Sequence, residues 1–276
     1  METYLITKDH SVSQEAFELH WQEDLDMLCT WPRPKDLDPY YDSGDYISHT
    51  DGKNSLLERL YQAAKRINLR RKLQHIDNQQ DKFCSLLDIG AGTGDFLQLA
   101  RSRGFEVYGM EPNAKARQLG AQKGIYLAPD WEGLAQRKYR FITLWHVLEH
   151  LPDLEDRIRD MVSLLEDDGT LVVAVPNFRS HDAKYYGSHW AGYDVPRHLW
   201  HFSKRSIARL FAKEGMEITG IHPMWFDAFY VSLLSEKYKG SKFYLAKGFW
   251  VGLVSNLKAI RSGEHSSLIY VLKRKN

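Results

Sequence analysis

Between residues 83 and 176 the chain alternates short apolar runs with amphipathic stretches: FCSLLDI, DFLQLARSRG, FEVYGM, PNAKARQLGAQKG, IYLA, YRFITLWHV, LEDRIRDMVSLLEDDG and TLVVAVP. No other feature constrains the fold as much. The apolar runs are too continuous for strands with one wet face, so they belong to a parallel sheet covered by helices on both sides. Right-handed crossovers then make an α/β, doubly wound unit. A helix in SKRSIARLFAKEGM, a strand in EITGIHP and a last strand in SSLIYVLKRK carry the sheet onward. The core therefore covers residues 80–276, with a mostly helical, aromatic-rich insertion at 224–264 before the last strand. Residues 1–79 differ in character. WPRPKDLDPYY is a proline-punctuated turn region, and SLLERLYQAAKRINLRRKLQHI places Leu56, Leu60, Ala64 and Ile67 on one helical face, which suits an N-terminal extension docked on the core.

Composition narrows the possible partners. Lys plus Arg total 37 against Asp plus Glu 36, so no global field recruits nucleic acid or an anionic membrane. Two cysteines without paired spacing, Cys29 and Cys84, argue against a disulfide framework or a cysteine zinc site and fit a reducing, cytoplasmic setting. The first twenty residues are too charged for a signal peptide, and the run FYLAKGFWVGLV is interrupted by Lys247 and too short to span a bilayer. The chain reads as soluble.

The sharpest local signal is Asp88-Ile89-Gly90-Ala91-Gly92-Thr93-Gly94, at the end of the first core strand and directly before a helix. Glycines are needed where the backbone turns sharply and lies flush against a ligand, and a helix N-terminus offers free N–H donors to it. The dinucleotide spacing G-x-G-x-x-G would place its third glycine at Asp95, so that fingerprint fails. Glu111 ends the next strand 23 positions beyond Asp88, where a carboxylate can take both ribose hydroxyls of a nucleoside.

The D-x-G-x-G-x-G stretch resembles the first motif of class I S-adenosylmethionine-dependent methyltransferases. Glu111, followed by Pro112, matches that family's second motif, and Asp130-Trp131 resembles its adenine contact. FITLWHVLEHLPD, with Trp145 and His146, resembles the segment lining the methionine end and facing the acceptor. The resemblance implies a seven-stranded, mostly parallel Rossmann-like sheet. It also implies S-adenosylmethionine as cofactor, with S-adenosylhomocysteine as product, held by Asp88, Gly90, Ala91, Gly92, Thr93, Gly94, Glu111, Pro112, Asp130, Trp131, Trp145 and His146. Within the family, LWHVLEHLPD followed by VPNFRSHDAKYYGSHWAGYDVPRHLWHFS is similar to a bacterial branch of quinone-pathway O-methyltransferases and sugar methyltransferases.

Methyl transfer needs a base only when the acceptor is a hydroxyl or an acidic carbon. His198 and His201, in the loop after the fifth strand, stand where ligands of open α/β sheets bind, and Asp194 could orient either. Some sugar methyltransferases of the branch use a histidine at a place like His198 as base. These histidines could equally brace the loop. Arg197 departs from the acidic neighbour found in those enzymes. His146, Glu149 and His150 spell H-x-x-E-H, an inverted zinc-protease motif on paper, but they straddle a strand end rather than share a helix face. Members of the family hold a divalent ion through E-x-x-E-H; with His146 replacing the first glutamate, no metal is expected here. Tyr40, Tyr41, Tyr46, Ser48 and His49 resemble a lid over the cofactor, or are aromatic packing.

The expected function is methyl transfer to a small-molecule acceptor such as a sugar, a quinone-like phenol or a lipid-linked molecule, at a hydroxyl. The alternatives are a non-catalytic S-adenosylmethionine-binding module and an NAD-dependent oxidoreductase. The insertion could roof the acceptor, form a dimer face or touch a membrane surface, since Lys237, Lys239, Lys242 and Lys247 accompany its aromatics.

Overall fold

The computed structural model describes residues 2–41, 67–76, 84–134 and 137–275. Its main sheet has six strands: β4 (Ser85–Ile89), β5 (Glu106–Met110), β6 (Tyr139–Trp145), β7 (Leu165–Pro176), β9 (Met216–Pro223) and β10 (Ser267–Arg274). They lie in the order β5-β4-β6-β7-β10-β9. The first four are parallel, and β10 runs antiparallel to both its neighbours. The run IYLA, expected to be a strand, contributes instead a single parallel bridge between Met110 and Ala128 at the β5 edge. Four residues between Gly124 and the turn at Pro129 leave little chain for a longer ladder.

Alternation within the strands builds two cores, one on each face. Leu87, Ile89, Ile142, Leu144, Leu171, Val173 and Val175 pack on one side. Leu86, Phe141, Val172 and Ala174 pack on the other, with Phe96, Leu97 and Ala100 from the helix Asp95–Ser102. Period-two side chains on strands buried on both faces require this division. Asp88 and Thr143 fall in register on the second face, directly opposite each other.

The first forty residues form strands, which hydrophobic runs alone did not reveal. β1 (Thr3–Lys8), β2 (Ala16–Gln22) and β3 (Met27–Trp31) make an antiparallel meander, completed by the two-residue strand β8 (Trp200–His201) from the loop beyond β7. Leu19 and Leu28 bury against Phe178, Trp190 and Tyr193 of that loop. The chain's beginning is thus stitched to the segment carrying His198. A helix over residues 67–74 docks on the second core face through Leu73 and Ile76. Ile67, expected on the docked face, is exposed; Leu56, Leu60 and Ala64 lie outside the described residues. The insertion folds as two packed cap helices, Asp227–Tyr238 and Tyr244–Ser262. Their close approach rests on Gly248 and Gly252, where a Cβ would stand 2.8 Å from the backbone of Leu233 and of Phe229.

Candidate active site

The glycine loop is built by backbone geometry. Gly90, Gly92 and Gly94 all have positive φ (70°, 54° and 74°), which side-chain-bearing residues adopt only at a cost. A Cβ on Gly90 would fall 2.4 Å from Val147 Cγ2, so the loop must lie flush against the exit of β6. A Cβ on Gly92 would meet nothing within 4 Å, which leaves the loop's open side to a ligand. No side chain caps the helix that starts after Gly94, so its first N–H groups face the same way. Glu111 Oε2 accepts the Gly92 N–H at 2.8 Å and Oε1 accepts the Asn113 N–H at 2.9 Å. A carboxylate has about four acceptor positions, so two remain for hydroxyl donors.

Around this loop lie both expected residues and two lysines, Lys72 and Lys123, that carried no signal in the sequence. Lys123 Nζ donates to the Thr93 carbonyl (2.8 Å) and hydroxyl (3.0 Å) and pairs with Asp95 (2.7 Å), clamping the loop's exit. Asp88 is fully buried; Thr143 Oγ1 donates to it at 2.6 Å, but burial dominates and pushes its carboxyl up to about 7. Lys72 stands over the ring of Trp145 at 4.7 Å; burial lowers its pKa, against the pull of Asp88 and Asp227. Trp145 is itself buried, and its Nε1–H has no partner among the described residues. Asp130 is exposed and accepts the Gly133 N–H at 2.8 Å, while Trp131 is half-buried beneath Arg157 at 5.3 Å. Both follow the Met110–Ala128 bridge in sequence, and Trp131 packs against the first core face. Pro112 is exposed, and its carbonyl accepts from Arg117 at 2.6 Å.

Beyond β6 the chain turns sharply. His146 has φ 59°, and Leu148–His150 form one 3₁₀ turn. His146 stands between two carboxylates, with Nδ1 3.3 Å from Glu149 Oε1 and Nε2 3.0 Å from Asp227 Oδ2 on the first cap helix. Burial disfavours its charge, but Asp227 and Glu149 outweigh burial and push the imidazole up to about 10. Asp227 had no signal in the sequence, since the contact joins the turn after β6 to a helix about 80 residues further on. His146 and His150 point to different partners rather than sharing a helix face, as the rejection of the protease motif requires.

Glu149 is completely buried and its Oε2 has no partner among the described residues. His150 Nδ1–H donates to the Arg197 carbonyl at 3.0 Å, and His198 Nδ1–H to the Gly192 carbonyl at 3.0 Å. Each bond places a proton on Nδ1, so in the neutral ring the lone pair is on Nε2. The two rings meet edge to face at 4.6 Å, and burial, then His198, push His150 down to about 4. Glu149, His150 and His198 each offer one ligand atom, all within 4.8 Å of one another. The chemistry of these donors fits a divalent cation.

Asp194 does not chiefly orient a histidine. Both its oxygens accept from Arg197, at 2.6 and 3.0 Å, and its nearest approach to His198 Nε2 is 3.9 Å. Arg197 also reaches Asp9 (3.1 Å), Ser11 Oγ (2.6 Å) and the Tyr40 carbonyl (2.8 Å). Burial opposes the Asp9 charge, yet the Ser13 N–H and Arg197 prevail and hold the carboxyl down at about 2. His201 lies behind this group. Thr30 Oγ1 donates its hydrogen to the His198 carbonyl (2.6 Å), so in its contact with Thr30 Oγ1 (3.0 Å) His201 Nε2–H donates. Burial, followed by His198, keeps His201 well below the usual histidine range. Tyr40, on the short helix Asp38–Tyr41, packs on Phe17 and donates to Glu15 at 2.6 Å, so it is anchored to the N-terminal sheet. The Tyr41 side chain, Tyr46, Ser48 and His49 lie outside the described residues.

A family model described as a methyltransferase domain matches residues 55–220, and the chain belongs to that family. Among curated relatives, the C-methyltransferase NovU of Streptomyces niveus is 23% identical over 145 residues, covering 50% of this chain and 34% of that protein. An uncharacterized methyltransferase of Geobacillus thermodenitrificans is 28% identical over 150 residues, covering 49% of this chain and 69% of the relative. The match thus spans about a third of the first relative's length and about two thirds of the second's. Solved structures of similar fold include magnesium protoporphyrin IX methyltransferase from Synechocystis PCC 6803 (TM-score 0.55, 13% identity, covering 82% of this chain and 91% of that one). Geranyl diphosphate C-methyltransferase from Streptomyces coelicolor gives TM-score 0.55 at 14% identity, covering 82% of this chain and 87% of that one.

Proposed function

We propose that the protein transfers a methyl group from S-adenosylmethionine to a hydroxyl of a small-molecule acceptor, with His198 as general base. The observation that carries this reading is the Nδ1–H bond of His198 to the Gly192 carbonyl, which fixes the ring with Nε2 free to accept a proton. The ring touches His150, on the turn whose Val147 lies flush against Gly90, so donor cradle and base share one wall. When bound, the sulfonium supplies a methyl group already attached to its leaving group. The glycine loop and helix N-terminus receive the donor, Glu111 accepts from its ribose, and Asp130 and Trp131 border its base. Trp145 and His146 stand at the methionine end, and His198 Nε2 takes the acceptor's proton. In this reading residues 80–276 bind both ligands, residues 224–264 roof the acceptor, and residues 1–79 are extension and lid. Asp194 fixes the loop through Arg197 and thereby positions His198. Sugar, quinone-like and lipid-linked acceptors can all offer a hydroxyl to such a base. Cys29 and Cys84 are not joined in a disulfide, and the proposed location is the cytoplasm.

Calorimetric titration with S-adenosylmethionine, S-adenosylhomocysteine and NAD tests the donor. Binding of the first two and silence from NAD is expected; the reverse pattern would replace this reading with an oxidoreductase. Loss of turnover in His198→Ala with donor affinity intact tests the base; binding without turnover on any acceptor class would favour a non-catalytic module.

A second reading rests on the donor set of Glu149, His150 and His198. A divalent cation held there would polarise an acceptor oxygen. Calorimetric titration with Mg²⁺ and Mn²⁺ distinguishes the two: binding abolished by Glu149→Gln makes His198 a ligand, and no binding leaves it a base.

A further inference from the structure

The outer face of the cap carries a surface that methyl transfer does not require. The second cap helix, Tyr244–Ser262, buries Gly248, Val251, Gly252, Ser255, Asn256 and Ala259. Ser255 is tied down further, donating to buried Asp182 at 2.6 Å, so the helix is held in one orientation. Its opposite side is apolar rather than polar. Leu245, Phe249, Trp250, Leu257 and Ile260 are exposed, Phe249 by 58% and Trp250 by 64%, and Phe243 just before the helix by 71%. At 100° per residue the five helical positions fall within an arc of about 140°, with Arg261, Lys247 and Lys258 following along one edge. A continuous apolar face of this kind on a well-packed helix signals a partner.

Charge identifies the partner. From Lys237 to Gly263 the chain contains six cations (Lys237, Lys239, Lys242, Lys247, Lys258 and Arg261) and no aspartate or glutamate, although the whole protein carries a net charge of only +1. Among the described residues none of the six pairs with an acid: Lys237 lies over Tyr244, Lys239 over Tyr185 and Tyr186, and Lys258 beside His181. Of the two acids that bracket this stretch, Glu236 is buried against Tyr186 and Glu264 is taken by Lys204 at 2.9 Å. Exposed aromatics flanked by unpaired lysines match the boundary between acyl chains and anionic headgroups. A second copy of the chain would set these cations against their own kind. No helix among the described residues is long and apolar enough to cross a membrane.

We infer that the cap is a peripheral docking surface for an anionic lipid bilayer, with Phe243, Leu245, Phe249, Trp250, Leu257 and Ile260 entering the interface and the lysines meeting the headgroups. The inference is independent of the donor and of the base. It is tested by sedimenting the full-length chain with phosphatidylcholine vesicles with and without phosphatidylglycerol, at low and high salt, beside an assay of self-association. The expected result is partition onto the phosphatidylglycerol vesicles, weaker at high salt. Phe249→Ser with Trp250→Ser, and separately Lys247→Glu with Lys258→Glu and Arg261→Glu, should each lower it at least about tenfold. An unchanged thermal midpoint identifies the variants as folded. No partition by the wild-type chain overturns the inference, as does partition that the charge reversals leave unaltered. Self-association that the aromatic substitutions abolish, without vesicle binding, would make the face a dimer interface instead.

Discussion

The donor half and the acceptor half of the proposed site are made by different means. The donor half uses consecutive backbone: three left-handed glycines, an uncapped helix and one carboxylate at the next strand end. The acceptor half uses side chains far apart in sequence. Arg197 joins Asp9, 188 positions away, and His201 reaches Thr30, 171 away. A site written in local conformation tolerates change in its surroundings, whereas one written in buried charge depends on every partner being present.

The largest expected effect breaks the acceptor half. Arg197→Met leaves Asp9 and Asp194 without their cation and should destabilise the fold by about 3–5 kcal/mol in urea unfolding. The same substitution made at exposed Arg159, paired with Asp156 on a helix surface, should cost well under 1 kcal/mol.

Acidity sharpens the contrast, because each half holds one buried aspartate and the two titrate with opposite sign. Asp9 is held at about 2, below its usual 3.8, so its stabilisation is present above pH 4 and lost as pH falls through 2, about 2 kcal/mol in all. Asp88 is raised to about 7, so its contribution runs the other way: stability declines as pH rises from 4 through 7. Asp88→Asn should flatten the neutral limb of a stability-versus-pH curve and leave the acid limb, and Asp9→Asn the reverse.

In the donor half, Gly90→Ala meets Val147 and requires a left-handed alanine, costing about 2 kcal/mol of stability. Adding Val147→Ala should recover the steric part and not the backbone part. Smallest of the four, Glu111→Gln keeps an acceptor near Gly92 but loses its charge, and should weaken S-adenosylmethionine binding by about 1 kcal/mol in calorimetry, with no change in unfolding.

The same contrast explains what was legible in advance. The glycine loop, Glu111, the alternating strands and the cap helices are contiguous patterns, so residue spacing alone located them. Asp227 on His146, Lys72 on Trp145 and Lys123 on Thr93 are contacts between separate segments, and nothing in their local sequence distinguishes them from surface residues. The N-terminal meander was hidden for a related reason: β1 and β2 are only half apolar, and their inner face is completed by Phe178 and Trp190 from the other end of the chain. Asp194 was expected to orient a histidine and its pairing with Arg197 was not foreseen, because a carboxylate three residues from a guanidinium and four from an imidazole can serve either.

The pairing of β3 with β8 bears on how the chain is made. A ribosome adds about 5–20 residues per second, so the meander waits roughly 9–40 s after Asp9 emerges before Arg197 and β8 exist to complete it. During that interval β3 presents an open edge, and the nascent protein must keep it from foreign strands. The loop that carries His198 is held by that pairing, so it cannot reach this arrangement before both its own residues and the meander have been made.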